Sequence, residues 1–431
     1  MKTFTLITTI LLTASVSLAQ YNKIDTSFYS QTLGEEKMVD VYFPPGYDEN
    51  PDLFYSVIYY LHGWTQNQND ISEMLYYTEL LINNNSIQPV IMVCADNSPG
   101  PFGGSMYTNS ILWGDYEEYM TNDLINWIES SFRAMPSKDH RALLGNSMGG
   151  YGAFRYGILY KDKFRALAAA AIAVINLTDS YVEYTRQKIM LENPGASFYY
   201  DYYNTGISTM GMFLFCGAFS PNYNTPQTYI NPRIVEFTMD ENGAYIDTIV
   251  QKFKNNSIAH LIHQLSPDDS VGILFGCGSA DENIYPCHIA FKDTLNMLGL
   301  PYEFYDHSGG HTMPDGFKER ALIFIDSLLM PPVLYTGVEE PSNQNIRFGM
   351  QSYPNPFDQS INISYTLSEL SDVHIHLFDA LGTKVKEIDV GQQQSGTHKI
   401  HINMLVMPSG VYFIQLYANN LKVTRKVLKI R

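Results

Sequence analysis

The stretch Arg141-Ala142-Leu143-Leu144-Gly145-Asn146-Ser147-Met148-Gly149-Gly150 places one serine between an apolar run and a helical pattern. The run 141–144 predicts a buried strand, and the pattern over 148–159 predicts a helix. Glycines two positions before and two after the serine complete G-x-S-x-G, which leaves room for a sharp strand-to-helix turn. Such a turn projects the serine hydroxyl above the sheet. We predict that Ser147 is a catalytic nucleophile; the alternative is a helix-opening Ser-Gly turn.

The same alternation of strand and helix recurs along the chain. Its 431 residues are 45% hydrophobic and 16% charged, which is typical of a globular protein, and their number suggests two or three domains at about 100–200 residues each. Because strands alternate with helices, we predict the α/β class, with a mostly parallel central sheet covered by helices. Predicted strands lie at 56–61, 90–94, 164–174, 271–276 and 302–305, and predicted helices at 70–83, 116–133, 288–298 and 315–329.

A serine hydroxyl needs a base to take its proton, and the base needs an acid to hold its tautomer. Asp281 follows the strand 271–276, and His311 follows the strand 302–305. The order serine, acid, histidine and these loop positions match the arrangement expected after a nucleophile elbow. We therefore predict that Asp281 and His311 complete a catalytic triad with Ser147.

Other residues compete for these roles. Glu282 leaves the same strand end as the predicted acid and remains an alternative to it. His307 is the competing base, although the paired glycines before His311 favour a loop that can bring His311 over the serine. His260 and His263 could suggest a metal pair, but no Glu or Cys stands at ligand spacing, so we interpret them as surface histidines.

The oxyanion that develops during ester attack requires preorganised hydrogen-bond donors. One predicted donor is the backbone N–H of Met148, directly after the nucleophile. The second is the N–H of Trp64 in Leu61-His62-Gly63-Trp64, where Gly63 would permit a turn after an early strand. We expect the His62 side chain to pack beneath this loop.

Two further parts of the chain predict where the protein is located and what forms its pocket. Residues 1–19 have a basic residue, Lys2, near their start, then a short apolar run, and they end on Ser17-Leu18-Ala19. This pattern predicts a secretory signal peptide and a mature start near Gln20. That run is below the roughly 20 residues that span a bilayer, and we expect no transmembrane segment in the mature chain. Residues 176–268 are rich in Tyr, Asn and Pro, and we predict an irregular insertion above the sheet that forms a pocket wall.

Charge and cysteine content exclude other classes. A formal charge of −17 argues against a nucleic-acid partner, because neutralising phosphates needs basic surface. The four cysteines, which lack the close spacing of a zinc site, are Cys94, Cys216, Cys277 and Cys287. Export would permit a disulfide, and the sequence leaves open whether Cys277 and Cys287 meet.

The C-terminal part has a different pattern. Pro331-Pro332 ends the last predicted helix, and 331–350 is a polar linker. Beyond it, 351–431 contains short alternating runs separated by glycines, which predicts a small β-sandwich.

The motifs Tyr-Leu-His-Gly-Trp, Gly-Asn-Ser-Met-Gly-Gly, Gly-Cys-Gly-Ser-Ala-Asp-Glu and Gly-Gly-His resemble, in order and spacing, an esterase family of the α/β-hydrolase superfamily. That family includes feruloyl and acetyl xylan esterases, S-formylglutathione hydrolases (esterase D-like) and mycolyltransferases. The resemblance covers about 35–330. It implies a serine esterase with Ser147, Asp281 and His311 as triad and with Trp64 and Met148 as oxyanion donors.

The tail resembles the C-terminal sorting domain of the type IX secretion system. The resemblance rests on Tyr-Pro-Asn-Pro-Phe at 353–357, Leu377-Phe378-Asp379, Ser409-Gly410-Val411-Tyr412-Phe413 and a Lys-rich end. It implies export through the periplasm of a Gram-negative bacterium to the exterior or the cell surface, with the secretion machinery as a partner. A carbohydrate-binding sandwich is the alternative.

We therefore expect the domain order signal peptide 1–19, α/β-hydrolase esterase domain 20–330, linker 331–350 and sorting domain 351–431. The expected function is that of a secreted serine carboxylesterase that forms an acyl-enzyme and needs no metal or organic cofactor. Its expected substrate is a carbohydrate-linked feruloyl or acetyl ester. The alternatives are an acyltransferase with the same triad and an inactive binding module.

Overall fold

The computed structural model of the protein describes residues 22–334 except 283, and residues 349–430 except 354–356, 368, 381 and 420. The predicted signal peptide 1–19 and the start near Gln20 lie outside the described residues, as does most of the predicted linker. The centre of the motif at 353–357 also falls outside them.

The larger part of the chain is built on an eight-stranded sheet in the order β1-β2-β4-β3-β5-β6-β7-β8. β1 and β2 are antiparallel to their neighbours, and all remaining pairs are parallel. The predicted α/β class with a mostly parallel sheet is thus confirmed. The strands are β1 Lys23–Ser30, β2 Glu35–Tyr42, β3 Val57–Leu61, β4 Ile91–Ala95, β5 Arg141–Asn146, β6 Ala166–Ala170, β7 Gly272–Gly278 and β8 Glu303–His307.

Both faces of this sheet are buried, which explains the apolar runs in the sequence. In β3, Tyr59 contributes to the core on one face, and Ile58 and Tyr60 contribute to the core on the other. Alternate side chains of a strand point to opposite faces, so a central strand covered on both sides must be apolar throughout.

Helices cover the two faces. α2 continues into α3 through a π-helical segment, Tyr119–Leu124. The helices are α1 Ser72–Asn83, α2 Tyr116–Glu118, α3 Ile125–Ser131, α4 Met148–Leu159, α5 Asp179–Glu192, α6 Ile207–Phe219, α7 Asp247–Asn256, α8 Ile258–Leu261, α9 Tyr285–Leu298 and α10 Asp315–Asp326. None of the described helices is both long and apolar enough to span a membrane.

The stretch 176–268 is not irregular as predicted, because it contains α5, α6, α7 and α8. Only Ile189 of α5 is buried, so this helix lacks the apolar periodicity that would have revealed it. In α6, apolar residues occur on nearly every face, and periodicity is therefore equally uninformative.

The C-terminal strands form two antiparallel sheets, β9-β10-β13 and β12-β11-β14-β15. Alternate residues of β10, such as Ile361, Ile363 and Tyr365, contribute to a core cluster with residues of the second sheet, such as Ile375 and Ile414. This matches the predicted small all-β unit. The strands are β9 Gly349–Tyr353, β10 Ser360–Leu367, β11 Ser371–Asp379, β12 Lys384–Gln393, β13 Gly396–Asn403, β14 Gly410–Ala418 and β15 Leu421–Lys429.

Candidate active site

Ser147 occupies the tight turn between β5 and α4. Its backbone has φ 56° and ψ −115°, a conformation that costs a non-glycine residue about 1–3 kcal/mol. A Cβ on Gly145 would collide with the carbonyl of Gly149, and a Cβ on Gly149 would collide with the carbonyl of Leu61. Both glycines of the G-x-S-x-G pattern are therefore required by close backbone approach, and the strain at Ser147 is held by the surrounding strands.

The structure brings Ser147, His311 and Asp281 into one hydrogen-bonded row. His311 Nε2 lies 2.8 Å from Ser147 Oγ, and His311 Nδ1 lies 2.7 Å from Asp281 Oδ2. Asp281 can only accept when ionised, so Nδ1 carries the proton and Nε2 is free to accept the serine proton. The arrangement can therefore activate the serine hydroxyl.

The loops that carry the acid and the histidine are joined to each other. The Ser279 N–H donates to the His307 carbonyl at 2.7 Å, and the Ala280 N–H donates to the Gly309 carbonyl at 3.0 Å. A side chain on Gly278 would collide with Gly309. These contacts fix Asp281 relative to the histidine loop and explain why residues 30 apart in sequence meet.

The residues that competed for the acid and base roles are not part of this hydrogen-bonded row. Glu282 is exposed, whereas the Asp281 side chain is only 10% exposed. His307 is half-buried, and its Nδ1 accepts the Gly309 N–H at 3.1 Å. His260 and His263 are exposed on α8 and the 3-10 turn that follows it. Of the histidines that the sequence offered as a base, His311 is the one hydrogen-bonded to Ser147.

The turn after β3 carries Trp64, the second predicted oxyanion donor. Gly63 has no positive φ, and the positive φ of this turn belongs to Thr65, at 63°. Instead the Gly63 N–H donates to Gln66 Oε1 at 2.7 Å, and a Cβ on Gly63 would lie 2.7 Å from that oxygen. A side chain at this position would displace the Gln66 carboxamide from its hydrogen bond to the Gly63 N–H.

Trp64 and Met148 face the same space beside the serine. A Cβ on Gly104 would lie 2.6 Å from Met148 Sδ and 3.3 Å from Trp64 Cδ1, so this glycine lets the two side chains converge. Within the described part of the chain, the backbone N–H groups of Trp64 and Met148 have no hydrogen-bond acceptor. Both remain available to an oxyanion.

His62 is buried beneath this turn, as expected. Its Nε2 accepts the Asn97 N–H at 2.8 Å, and its Nδ1–H donates to the Gly63 carbonyl at 2.9 Å. Burial lowers the pKa of the imidazole, so it stays neutral and supports the turn.

A largely apolar cavity of about 240 Å³ opens beside Ser147. We name it the acyl pocket. Its wall includes residues of α5 and α6, which belong to the stretch 176–268. The lining includes Trp64, Met148, Tyr181, Tyr184, Lys188, Gly211, Met212 and Phe215 together with Ser147 and His311.

Tyr181, Tyr184 and Lys188 were not predicted from the sequence, which indicated only that 176–268 is rich in tyrosine. Other tyrosines of that stretch lie in the core, since Tyr200 is buried against Phe237 and Tyr202 packs against Phe213. Those rings stabilise the packing around α6. The pocket tyrosines belong to α5, where a helix prediction would have been needed to place them on one face.

All four cysteines are buried and none is in a disulfide, so Cys277 and Cys287 are not bonded to each other. Burial raises the pKa of the Cys277 thiol to about 12. A thiol of that pKa is uncharged and unreactive at neutral pH.

A buried histidine supports the segment behind the nucleophile. His288 Nε2 accepts the Ile172 N–H at 3.0 Å, and its Nδ1–H donates to the Ile284 carbonyl at 2.8 Å. The neighbouring Ala173 N–H donates to the Ser147 carbonyl at 3.2 Å. Burial lowers the pKa of His288 to about 4, so the folded protein keeps it neutral.

This histidine should make the protein less stable in acid. As the pH falls below about 6.5, the unfolded chain binds a proton at His288, while the folded chain does not until about pH 4. We expect this residue to lower the free energy of unfolding by up to about 3 kcal/mol between those limits. Denaturant unfolding at several pH values should show a shallower acid dependence in His288→Gln than in the wild type. An unchanged slope, with exposed His260→Gln as control, would contradict this role.

Comparisons with known proteins agree with this fold. Residues 30–190 match the family model described as "Putative esterase", and residues 351–430 match the secretion system C-terminal sorting domain. The chain is also similar to the solved structure of a ferulic acid esterase, with a TM-score of 0.50 and 18% identity, covering 72% of this chain and 100% of that one.

Curated relatives match a shorter region. Esterase MT1326 of Mycobacterium tuberculosis is 27% identical over 143 residues, which are 33% of this chain and 30% of that protein. An endo-1,4-beta-xylanase/feruloyl esterase of Xylanibacter ruminicola is 29% identical over 131 residues, 29% of this chain and 18% of that protein. The matches thus span less than a third of the length of these relatives.

The sorting domain implies export by the type IX secretion system and a secreted or cell-surface location. The chain therefore combines a region that matches the esterase family model, within an α/β fold similar to that of a ferulic acid esterase, with a C-terminal region that matches a secretion sorting domain.

Proposed function

We propose that the protein is a serine esterase that works through an acyl-enzyme intermediate. Ser147 Oγ attacks the ester carbonyl while His311 Nε2 takes its proton, and His311 then returns that proton to the departing alcohol. Asp281 holds the imidazole in the required tautomer. Water then attacks the acyl-enzyme with His311 again as base, which releases the acid and restores the serine.

The observation that carries this proposal is the hydrogen-bonded row from Asp281 through His311 to Ser147. The free N–H groups of Met148 and Trp64 support it, because they are suited to hold the oxyanion of the tetrahedral intermediate. Removing one such donor typically costs about 10²–10³-fold in kcat, so the pair accounts for a large part of the expected catalysis.

We further propose that the substrate is a feruloyl or acetyl ester of a plant polysaccharide. The acyl pocket is lined by Tyr181, Tyr184 and Phe215, which favour an aromatic acyl group. Its volume of about 240 Å³ is below the range of about 300–1,000 Å³ for pockets of drug-sized ligands, and so suits a single compact acyl group. One curated relative is named a feruloyl esterase, and the sorting domain would bring this chain to extracellular polymers.

The acyl specificity can be tested with methyl ferulate, acetylated xylan and methyl acetate as substrates of the full chain. We expect a kcat/KM for methyl ferulate at least about tenfold above that for methyl acetate, because the aromatic ring buries apolar surface in the pocket. Equal values for the two esters would contradict an aromatic acyl pocket.

A variant of the pocket sharpens this test. A Cβ on Gly211 would be 3.8 Å from the Trp64 ring, so Gly211→Leu should fill the pocket without disturbing α6, where leucine is the better helix former. In this variant we expect the ratio of kcat/KM for methyl ferulate to kcat/KM for methyl acetate to fall at least about tenfold.

An alcohol added to the wild-type assay tests hydrolysis against acyl transfer. We expect water to remain the main acceptor of the acyl group. If the added alcohol becomes the main acceptor, the protein is an acyltransferase.

A further inference from the structure

His311 lines two cavities of different character. One is the acyl pocket, which Ser147 also lines. The other is an open cavity of about 650 Å³ that does not have Ser147 among its lining residues. We name it the polar groove and define it by Gln66, Asp70, Glu73, Asp315, Lys318 and His311.

The polar groove carries excess negative charge. Its three carboxylates, on Asp70, Glu73 and Asp315, face one ammonium, so the formal charge is −2 with His311 neutral. Lys318 is 4% exposed and ion-paired with Glu73 and with Asp315, the latter at 3.2 Å. Its charge is therefore already matched, and among the described lining residues no other Lys or Arg is available to an incoming anion.

The groove also offers hydrogen-bonding groups directly beside the nucleophile. Asn146, which precedes Ser147, lines it, and the Asn146 carboxamide oxygen is buried without a hydrogen-bond donor in the described part of the chain. Gln66 Nε2 donates to Asp70 Oδ1 at 3.2 Å, while Gln66 Oε1 holds the turn before Trp64. Acceptors of this kind pair well with hydroxyl groups.

We propose that the polar groove receives the alcohol part of the ester and selects a neutral, polyhydroxylated alcohol, such as a sugar, over an anionic one. The inference rests on the proposed function. His311 must protonate the leaving oxygen, so the alcohol departs beside the imidazole, and the groove is the cavity next to it that does not hold the acyl group. An anionic alcohol would enter a site of like charge, whereas hydroxyls would donate hydrogen bonds to the groove carboxylates.

The test keeps the acyl group constant and varies the leaving group. S-acetyl esters of 1-thioglycerol, propanethiol and mercaptoacetate give a neutral polyol, a neutral group with no hydroxyls and an anion. For each ester, the rate of thiol release by the full chain is divided by the rate of its hydrolysis by hydroxide alone, because the three thiols differ as leaving groups. We expect kcat/KM for the thioglycerol ester to exceed that for the mercaptoacetate ester by at least about tenfold at low salt, with the propanethiol ester between them. Added salt should reduce the difference.

Two single variants locate the effect. Glu73→Gln and Asp315→Asn each remove one groove charge and each leave Lys318 one carboxylate partner, which limits the risk of unfolding. Either should reduce discrimination against the mercaptoacetate ester at least about threefold. Asp268→Asn is the charge-matched control. Asp268 lies just before β7 begins, whereas Ser147 and Asp281 follow the ends of their strands. This variant should leave the ratio of kcat/KM for the thioglycerol and mercaptoacetate esters unchanged.

The outcomes separate this inference from the proposed function. Two results would overturn the assignment of the groove and leave the esterase intact, provided that thiol release depends on Ser147. One is an equal kcat/KM for the three esters. The other is a thioglycerol-to-mercaptoacetate ratio in both groove variants that equals the wild-type ratio. Absence of any serine-dependent release overturns both.

Discussion

Ser147→Ala is expected to lower kcat for p-nitrophenyl acetate by roughly 10⁴–10⁶-fold, because no other group can form the acyl-enzyme. The residual rate should come from substrate binding and the oxyanion donors alone. End-point assays with the full chain, at a protein concentration high enough to detect slow turnover, would measure this residual rate. Thermal unfolding should be nearly unchanged, since alanine can occupy the same strained backbone position.

The matched control is Ser130→Ala, which alters an exposed serine on α3. It should retain wild-type kcat within about twofold, as expected for a surface change. If Ser147→Ala hydrolyses the ester as well as Ser130→Ala and the wild type do, Ser147 is not the nucleophile, and the α/β domain uses another residue. If the wild type itself shows no hydrolysis, the domain is an inactive binding module.

Asp281→Asn is expected to lower kcat by roughly 10³–10⁴-fold while KM changes little. An amide at this position can donate to His311 Nδ1, which stabilises the tautomer that cannot accept the serine proton at Nε2. The 2.7 Å contact between His311 and Asp281 makes this tautomer control direct. Steady-state kinetics at several pH values would measure the loss and show whether high pH restores part of it.

Glu282→Gln provides the comparison that the sequence left open. Glu282 is exposed and adjacent to the proposed acid, so its neutralisation changes the same local charge without touching His311. We expect at most about a twofold change in kcat. A large loss in Glu282→Gln combined with a small one in Asp281→Asn would assign the acid role to Glu282.

The central sheet could be predicted because its strands are buried on both faces. β3 and β6 are apolar throughout, and this signal does not depend on contacts with distant residues. β1 and β2 were missed, since charged and polar residues interrupt the apolar pattern of both strands, including the buried Lys37 and Asp40 of β2. Their pairing depends on the tertiary fold, and alternation alone was too weak to reveal it.

The three central site residues could be named because parallel strands end at one edge of a sheet. Ser147, Asp281 and His311 each follow such a strand end, so topology alone brings their loops together. The pocket wall could not be named in the same way. Tyr184 and Lys188 reach the pocket through the orientation of α5, which one buried residue and tertiary packing determine.

The turn after β3 shows the limit of local rules. The sequence indicated only that Gly63 permits the turn, and it did not show that the positive φ belongs to Thr65 or that Gln66 occupies the space a side chain at Gly63 would need. Such a side-chain contact with the backbone leaves no periodic signal in the sequence.

Covalent labelling tests the central claim most directly. The full chain would be treated with an organophosphorus fluoride, which phosphorylates an activated serine, and then digested and mapped by mass spectrometry. We predict one stoichiometric adduct, on Ser147, that appears together with loss of esterase activity and is absent from His311→Ala. An active wild-type protein that stays unlabelled, or that carries the inactivating adduct on another residue, would contradict the account.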